Sequence, residues 1–342
     1  MRICAYFAFY NSCSSFEWKS GRENSTIHSS WTPPKSWYVD GSNTFYRSVE
    51  KKHVFTAEKS WLLAGRISQI PNPGDYIATE VLGEPIILAN DHGQYKAFFN
   101  VCRHHAARIC ENGKNTLANT DGSVIKRFIC PYHGWEYNID GRLAKAVAMK
   151  GCEAFKARNF NLLPIRVDQL GPWLFVNFSE GRTSLREDQP DAQFVEDLLV
   201  QSGVGQLQHV GSRRYHLHCN WKVFIDNYLD GGLHVSIAHP SLAALLDMDS
   251  YTRQVVTSGA PDGTADDRRT DFKNANFFLQ TCRSATAPSS SDLGKRSLTN
   301  VASLYLFHYP NLCVNRYGRW MDTNVVWPHP DRADQCFVDF DW

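Results

Sequence analysis

Two short segments, Cys102-Arg103-His104 and Cys130-Pro131-Tyr132-His133-Gly134-Trp135, constrain this chain more than anything else in its 342 residues. Each offers one thiolate and one imidazole. A mixed-ligand [2Fe–2S] cluster requires two thiolates on one iron and two neutral imidazoles on the other. Cys102, His104, Cys130 and His133 are therefore expected to close around such a cluster from two facing loops. Thiolates stabilise ferric iron, whereas imidazoles raise the reduction potential. Gly134 is expected to let backbone amides approach the sulfides, Pro131 to fix the loop, and Tyr132 or Tyr137 to donate a tuning hydrogen bond. A Cys2His2 zinc site is the competing chemistry, but this spacing is not that of a zinc finger. His105 adjoins His104; neighbours on an extended segment point to opposite sides. Only one of the two is then expected to be a ligand, and His104 has the matching offset from Cys102.

The second constellation runs from Asn220 to His239. A helix is expected over Trp221–Leu229 with Asn220 as its N-cap. If that helix continues, Asp226, Asp230 and His234 recur every four residues on one face. Gly231-Gly232 would weaken or bulge it, a cost that makes sense if the local geometry aims His234 and His239 at one metal. Two histidines five apart are by themselves more often structural than ligating. Beside a cluster motif they become candidate ligands of a mononuclear ferrous site with positions open to dioxygen.

Around these motifs, runs of alternating apolar and polar residues broken by Gly, Pro, Asn and Asp predict an antiparallel β domain: 75–81, 85–89, 96–101, 126–130, 135–139 and 173–178. A short helix is expected at Thr56–Trp61 and a linker from Ser179 to Asp191. Beyond it come a helix near 194–200, a strand at 215–219, a polar loop-like stretch from Ser258 to Asn300, and strands at 302–309, 311–317, 324–327 and 336–341. The fold class is α+β, with a leader over 1–40, a cluster domain over 41–179 and a second domain over 180–342. The chain stops inside a predicted strand, so the second domain is expected to be truncated at its C-terminus. The leader has a short apolar start and no acid before Glu17, as targeting segments do, but it lacks an amphipathic Arg-rich helix. An unstructured leader is the preferred expectation.

Composition excludes several classes of partner. The 36 basic and 35 acidic side chains nearly cancel, leaving no footprint for nucleic acid or an anionic membrane. No apolar run approaches the roughly 20 residues of a spanning helix, so a soluble chain is expected. The ten cysteines are scattered over a long chain, which suits a reducing compartment better than a disulfide scaffold.

The cluster motif, with Trp31-Thr32-Pro33-Pro34-Lys35-Ser36-Trp37-Tyr38, Trp61, Gly65-Arg66, Asp140 to Ala146, Asp226 to His239 and Tyr309 to Asn324, resembles the Rieske non-heme iron oxygenases, among them those acting on quaternary amines. The 25 residues between His104 and Cys130 make a longer loop than is usual there, and the polar stretch Asn112–Ser123 fits a surface insertion. The resemblance implies a small antiparallel β Rieske domain followed by a helix-grip-like catalytic domain, an antiparallel sheet carrying a helix. It also implies mononuclear Fe(II) on His234 and His239, and an acidic bridge, Asp230 with Asp226 as the alternative, that passes electrons from the cluster of a neighbouring subunit. The family draws its third ligand, a carboxylate, from a later helix, expected to lie past Trp342; Asp339 and Asp341 are poor substitutes. Implied partners are reduced ferredoxin, dioxygen and a quaternary amine, choline first and carnitine or an aromatic ring as alternatives, in a homotrimer. A Rieske electron-transfer protein with an incomplete oxygenase site is the reading from a different class. The implied compartment is the plastid stroma for a plant-like chain and the cytoplasm otherwise. Candidate aromatic walls for a trimethylammonium group are Tyr228, Tyr305, Phe307, Tyr309, Tyr317 and Trp320.

Overall fold

The computed structural model describes residues 38, 46–119, 123, 126–230, 232, 234–256, 275–285, 303–318 and 320–342. Apart from Tyr38, the expected leader lies outside the described residues. The chain divides into two compact units, one formed by Trp61–Leu185 and the other by Arg186–Trp342 together with the described residues up to Ser60. The segment 46–60, placed with the first domain from sequence, thus groups with the second unit.

Among its described residues the first unit holds ten strands: β1 (Leu62–Arg66), β2 (Asp75–Val81), β3 (Glu84–Asp91), β4 (Gln94–Phe99), β5 (Gly113–Thr116), β6 (Phe128–Ile129), β7 (Glu136–Tyr137), β8 (Leu143–Lys145), β9 (Pro164–Leu170) and β10 (Trp173–Asn177). Seven of them form an antiparallel sheet in the order β1-β10-β9-β4-β3-β2-β5, and β6-β7-β8 form a small second sheet. The turn His92-Gly93 joins β3 to β4 with φ of 52° and 88°; two left-handed residues match the twist of the strands they connect. The polar insertion contributes β5, an exposed edge strand paired with β2. Phe98, Phe128, Trp135, Tyr137, Cys102 and Cys130 share one buried cluster, so the two cysteine loops rest on the domain core.

The second unit is built on a seven-stranded antiparallel sheet: β11 (Ser212–Leu217), β12 (Leu246–Val256), β13 (Phe277–Ser284), β14 (Ser303–His308), β15 (Leu312–Tyr317), β16 (Trp320–Pro328) and β17 (Cys336–Asp341), in the order β11-β17-β16-β15-β14-β13-β12. Helix Trp221–Leu229 packs against it. Asn220 caps this helix as expected, its side chain accepting from the Lys222 amide. Its first turn is held by a buried carboxylate: Glu50 accepts from Trp221 Nε1 at 2.8 Å and from Lys222 Nζ at 2.5 Å.

Three expectations need correction. The helix before the first domain is Tyr46–Phe55, a wide π-type turn, whereas Thr56–Trp61 contains no helix; burial of Tyr46, Val54 and Phe55 outweighs the helix-forming residues downstream. The stretch 258–300 is not all loop, because Phe277–Ser284 forms a central strand whose Phe277, Phe278 and Leu279 are buried. The helix carrying Asp226 stops at Leu229, so Asp226, Asp230 and His234 do not share one continuous helical face. Gly232, with φ of 77°, turns the chain before a short helix Val235–Ala238.

His308 on β14 is buried, stacks on Phe277 at 4.6 Å and pairs with Gln189 Oε1 at 2.9 Å. Burial pulls its pKa down to about 3. The unfolded chain takes up that proton near pH 6.5. Stability from this residue is therefore fully present above about pH 6.5 and is lost as pH falls toward 3, at up to about 1.4 kcal/mol per pH unit. Guanidinium unfolding at pH 7 and pH 5 is expected to show this loss, and His308→Gln is expected to flatten it.

Candidate functional site

The two cysteine loops of the first unit repeat one backbone design. The Cys102 amide donates to Ala107 O at 2.8 Å and the Ala106 amide to Cys102 O at 3.0 Å. In the second loop the Cys130 amide donates to Trp135 O at 2.8 Å and the Gly134 amide to Cys130 O at 3.0 Å. Both loops turn through a left-handed residue four places after the cysteine, Ala106 (φ 58°) and Gly134 (φ 65°). An alanine held there costs roughly 1–2 kcal/mol, strain of the kind found where a loop must present side chains in a set direction.

Both thiols are buried and close enough to influence one another. The Tyr137 hydroxyl accepts from the Arg103 amide at 3.0 Å, which leaves its proton for the Cys102 sulfur at 3.3 Å. Burial raises the Cys102 thiol pKa, while the Tyr137 bond pulls it back. The rings of His104 and His133 lie 4.7 Å apart. His104 stacks on Trp135 at 4.6 Å with planes 7° apart, which sets its orientation. Its Nδ1 is buried without a hydrogen-bond partner. Burying a polar nitrogen unpaired is costly, and a metal on that nitrogen removes the cost. Two soft sulfurs and two imidazoles therefore fit a mixed-ligand cluster.

The alternation argument for His105 does not hold, because Arg103–His105 form a turn rather than a strand. His105 lies 4.1 Å from the His104 ring and 5.2 Å from that of His133. A nitrogen from each of the three comes within 4.8 Å of the others. His105 and His133 are both exposed and only His104 has a buried nitrogen awaiting a partner, so the preference for His133 over His105 rests on its spacing from Cys130.

In the second unit, Asp230 closes helix Trp221–Leu229 and grips the turn beyond it. Its Oδ1 accepts from the Gly232 amide at 2.9 Å and its Oδ2 from His234 Nδ1 at 2.6 Å. His234 Nδ1 thus carries the proton and Nε2 keeps a free lone pair. The ring of His239, just past the short helix, lies 5.2 Å from that of His234 at 78°. Asp226 is engaged elsewhere, accepting from Tyr38 Oη at 2.5 Å. Asp339 is taken up by a bidentate pair with Arg214 and by Trp327 Nε1, and Asp341 by Ser212, so neither belongs to this group.

Strand register shows a further feature. Gln280, Tyr305, Asn315 and Asp322 face one another in a row across β13, β14, β15 and β16. A sheet face packed under a helix is ordinarily apolar. Gln280 donates to Tyr228 O at 3.0 Å and accepts from Tyr251 Oη at 3.0 Å. Asn315 and Asn324 donate to Asp322 Oδ2 at 2.7 and 2.9 Å. Burial nevertheless raises the Asp322 pKa, and no cation pairs with it among the described residues. The Tyr251 and Tyr305 rings stack at 6.2 Å, and Tyr317 meets Tyr305 edge-on at 5.5 Å. Tyr251 also covers Gly232, where an added Cβ would lie 2.9 Å from its ring, and so connects this row to the turn between Asp230 and His234.

Of the aromatic candidates, Tyr305 and Tyr317 belong to this cluster. Tyr228 lies against it with Oη bonded to Val314 O at 3.0 Å. Trp320 is 73% exposed and is no wall. Sequence reasoning missed Gln280, Tyr251 and Asp322. The polar residues at alternate positions of buried strands were the available signal, but the strand containing Gln280 falls within the stretch expected to be loop.

Residues 60–157 match the Rieske [2Fe-2S] domain family, and residues 204–342 match the ring hydroxylating alpha subunit (catalytic domain) family. Over 324 residues the chain is 34% identical to the chloroplastic choline monooxygenase of Arabidopsis thaliana, covering 91% of this chain and 67% of that protein. It is 32% identical over 223 residues to the carnitine monooxygenase oxygenase subunit of Acinetobacter baumannii, covering 65% of this chain and 56% of that one. Among solved structures, the quaternary ammonium Rieske monooxygenase CntA superposes with a TM-score of 0.67 at 24% identity, over 88% of this chain and 74% of that one, a likeness of fold. The chain spans between 62% and 67% of the length of the plant choline monooxygenases it matches.

Proposed function

Given that the chain belongs to the Rieske non-heme iron oxygenases, with a Rieske [2Fe–2S] cluster and a mononuclear iron as cofactors, we propose that it hydroxylates a quaternary amine, choline first, using dioxygen and electrons from reduced ferredoxin. Choline would leave as betaine aldehyde hydrate. When bound, the cluster would supply single-electron transfer and the mononuclear iron would supply oxygen activation.

The chain's own residues supply ligation and orientation. Cys102 and Cys130 would hold one cluster iron; His104 and His133 would hold the other, with His104 kept in plane by Trp135. Tyr137, donating toward the Cys102 sulfur, would stabilise negative charge there and so raise the potential. His234 and His239 would hold the mononuclear iron. Asp230 would fix the His234 tautomer through its 2.6 Å bond, leaving Nε2 for the metal. It is also our choice for the acidic bridge from a neighbouring subunit's cluster in a homotrimer. Asp226 is the weaker choice because Tyr38 engages it.

The half-buried Asp322 beside the tyrosine cluster carries the substrate assignment. A quaternary ammonium ion cannot donate a conventional N–H hydrogen bond, so recognition rests on aromatic faces and on charge. Tyr251, Tyr305 and Tyr317 offer the former and Asp322 the latter. A bound cation would stabilise the carboxylate that burial destabilises. Asp322→Asn is expected to raise KM for choline about tenfold, with kcat within a few-fold of the parent. An equal fall in kcat and kcat/KM, or no change in KM, would count against this role.

Turnover with choline, carnitine and an aromatic substrate, each with reduced ferredoxin, tests the reaction itself. The carnitine-oxidising relatives make carnitine the principal competitor. The plastid stroma is the proposed compartment, supported by the chloroplastic relatives; among the described residues no helix is long and apolar enough to cross a membrane.

A further inference from the structure

Cys219 and Cys336 stand apart from the residues assigned above, with their sulfurs 4.0 Å from each other. Cys336 opens β17 opposite Leu217 of β11, and Cys219 lies two residues beyond that pairing. Both belong to the second unit. Cys336 is fully buried and Cys219 half-buried, so a reagent reaches Cys219 first. The Cys336 thiol hydrogen-bonds to Cys219 and lowers the Cys219 pKa to about 7. The contact favours the thiolate form at the more accessible Cys219 and the thiol form at the buried Cys336.

We propose that Cys219 and Cys336 form a redox-active dithiol, in which Cys219 attacks a disulfide-bearing partner and Cys336 resolves the adduct to an intramolecular disulfide. The oxidant is a small-molecule or protein disulfide. The Cys219 thiolate attacks one of its sulfurs, the partner's S–S bond breaks, and one partner thiolate leaves and takes up a proton. Cys336 then gives up its proton and attacks the Cys219 sulfur, and the second partner thiolate leaves. One disulfide is reduced to two thiols while one forms in the chain, so two electrons and two protons balance. The sulfurs must close by about 2 Å to bond, and the half-buried Cys219 is the side chain expected to move.

The consequence reaches the candidate iron site through the helix between them. Cys219 immediately precedes Asn220, the N-cap of helix Trp221–Leu229, and Asn220 also donates to Ala333 O at 2.7 Å, three residues before Cys336. A closed disulfide would tie the start of helix Trp221–Leu229, which Asp230 caps at its other end, to β17.

Holoenzyme incubated with oxidised glutathione, then alkylated, digested without reductant and analysed by mass spectrometry, tests the proposal. The expected result is a Cys219–Cys336 crosslinked peptide, lighter by two hydrogens than the sum of the reduced peptides and lost on adding dithiothreitol. In Cys219→Ser no crosslink to Cys336 forms, and in Cys336→Ser glutathione remains attached to Cys219. A crosslink of either residue to another cysteine, both thiols remaining free, or a stable glutathione adduct on Cys219 of the parent chain would overturn the proposal. The readout needs no turnover, so it stands or falls independently of the oxygenase assignment.

Discussion

Cys130→Ser is expected to strip the chain of its [2Fe–2S] cluster. Visible absorption from sulfur-to-iron charge transfer disappears, acid-labile sulfide falls to background and about two irons per chain are lost. The fold should survive, because the loop is closed by backbone bonds that the substitution leaves alone, Cys130 N to Trp135 O and Gly134 N to Cys130 O. Far-ultraviolet circular dichroism separates lost cluster from lost fold. His105→Ala is expected to keep the cluster, since the Cys-x-His spacing assigns that loop's imidazole to His104, whereas His104→Ala, which removes the buried nitrogen that lacks a partner, is expected to lose it. A Cys130→Ser protein that retains its colour and sulfide would remove the basis of the cluster assignment.

Asp230→Asn is expected to weaken iron binding at His234 and His239 by about 10- to 100-fold and to cost turnover on a similar scale. The cluster spectrum should remain unchanged. Asp230 accepts from His234 Nδ1 at 2.6 Å and from the Gly232 amide at 2.9 Å. An asparagine can keep only one carboxamide oxygen as acceptor, so either the turn or the imidazole loses its anchor. Asp226→Asn removes the charge that Tyr38 contacts and should leave iron content within a few-fold of the parent. Iron retention under competition with a chelator measures both. The reverse ranking would make Asp226 the residue that supports the metal.

The candidate cluster ligands could be picked out from the sequence because the chemistry proposed for them is carried by residue type and local spacing. Cys102, His104, Cys130 and His133 occur in two loops of fewer than ten residues each, and a loop closed by its own backbone bonds presents its side chains without long-range help. The N-cap Asn220 and the strands 75–81 and 336–341 were legible for the same reason, since capping and alternation are local properties. The choice between Asp226 and Asp230 rested partly on helical periodicity, and the helix ends at Leu229. Asp230 is favoured instead by a tight turn through Gly232.

Residue order alone set the candidate donor types and the α+β succession of elements that carries them. Which distant residues meet was left to the folded chain. Gln280, Tyr305, Asn315 and Asp322 come from four strands, and they form a row because β13 to β16 pair in one register, with Tyr251 joining it to the Asp230 turn. Cys219 and Cys336 are likewise brought together by the pairing of β11 with β17. Register comes from the burial of one whole sheet face, a property summed over many side chains, and no single segment contains it.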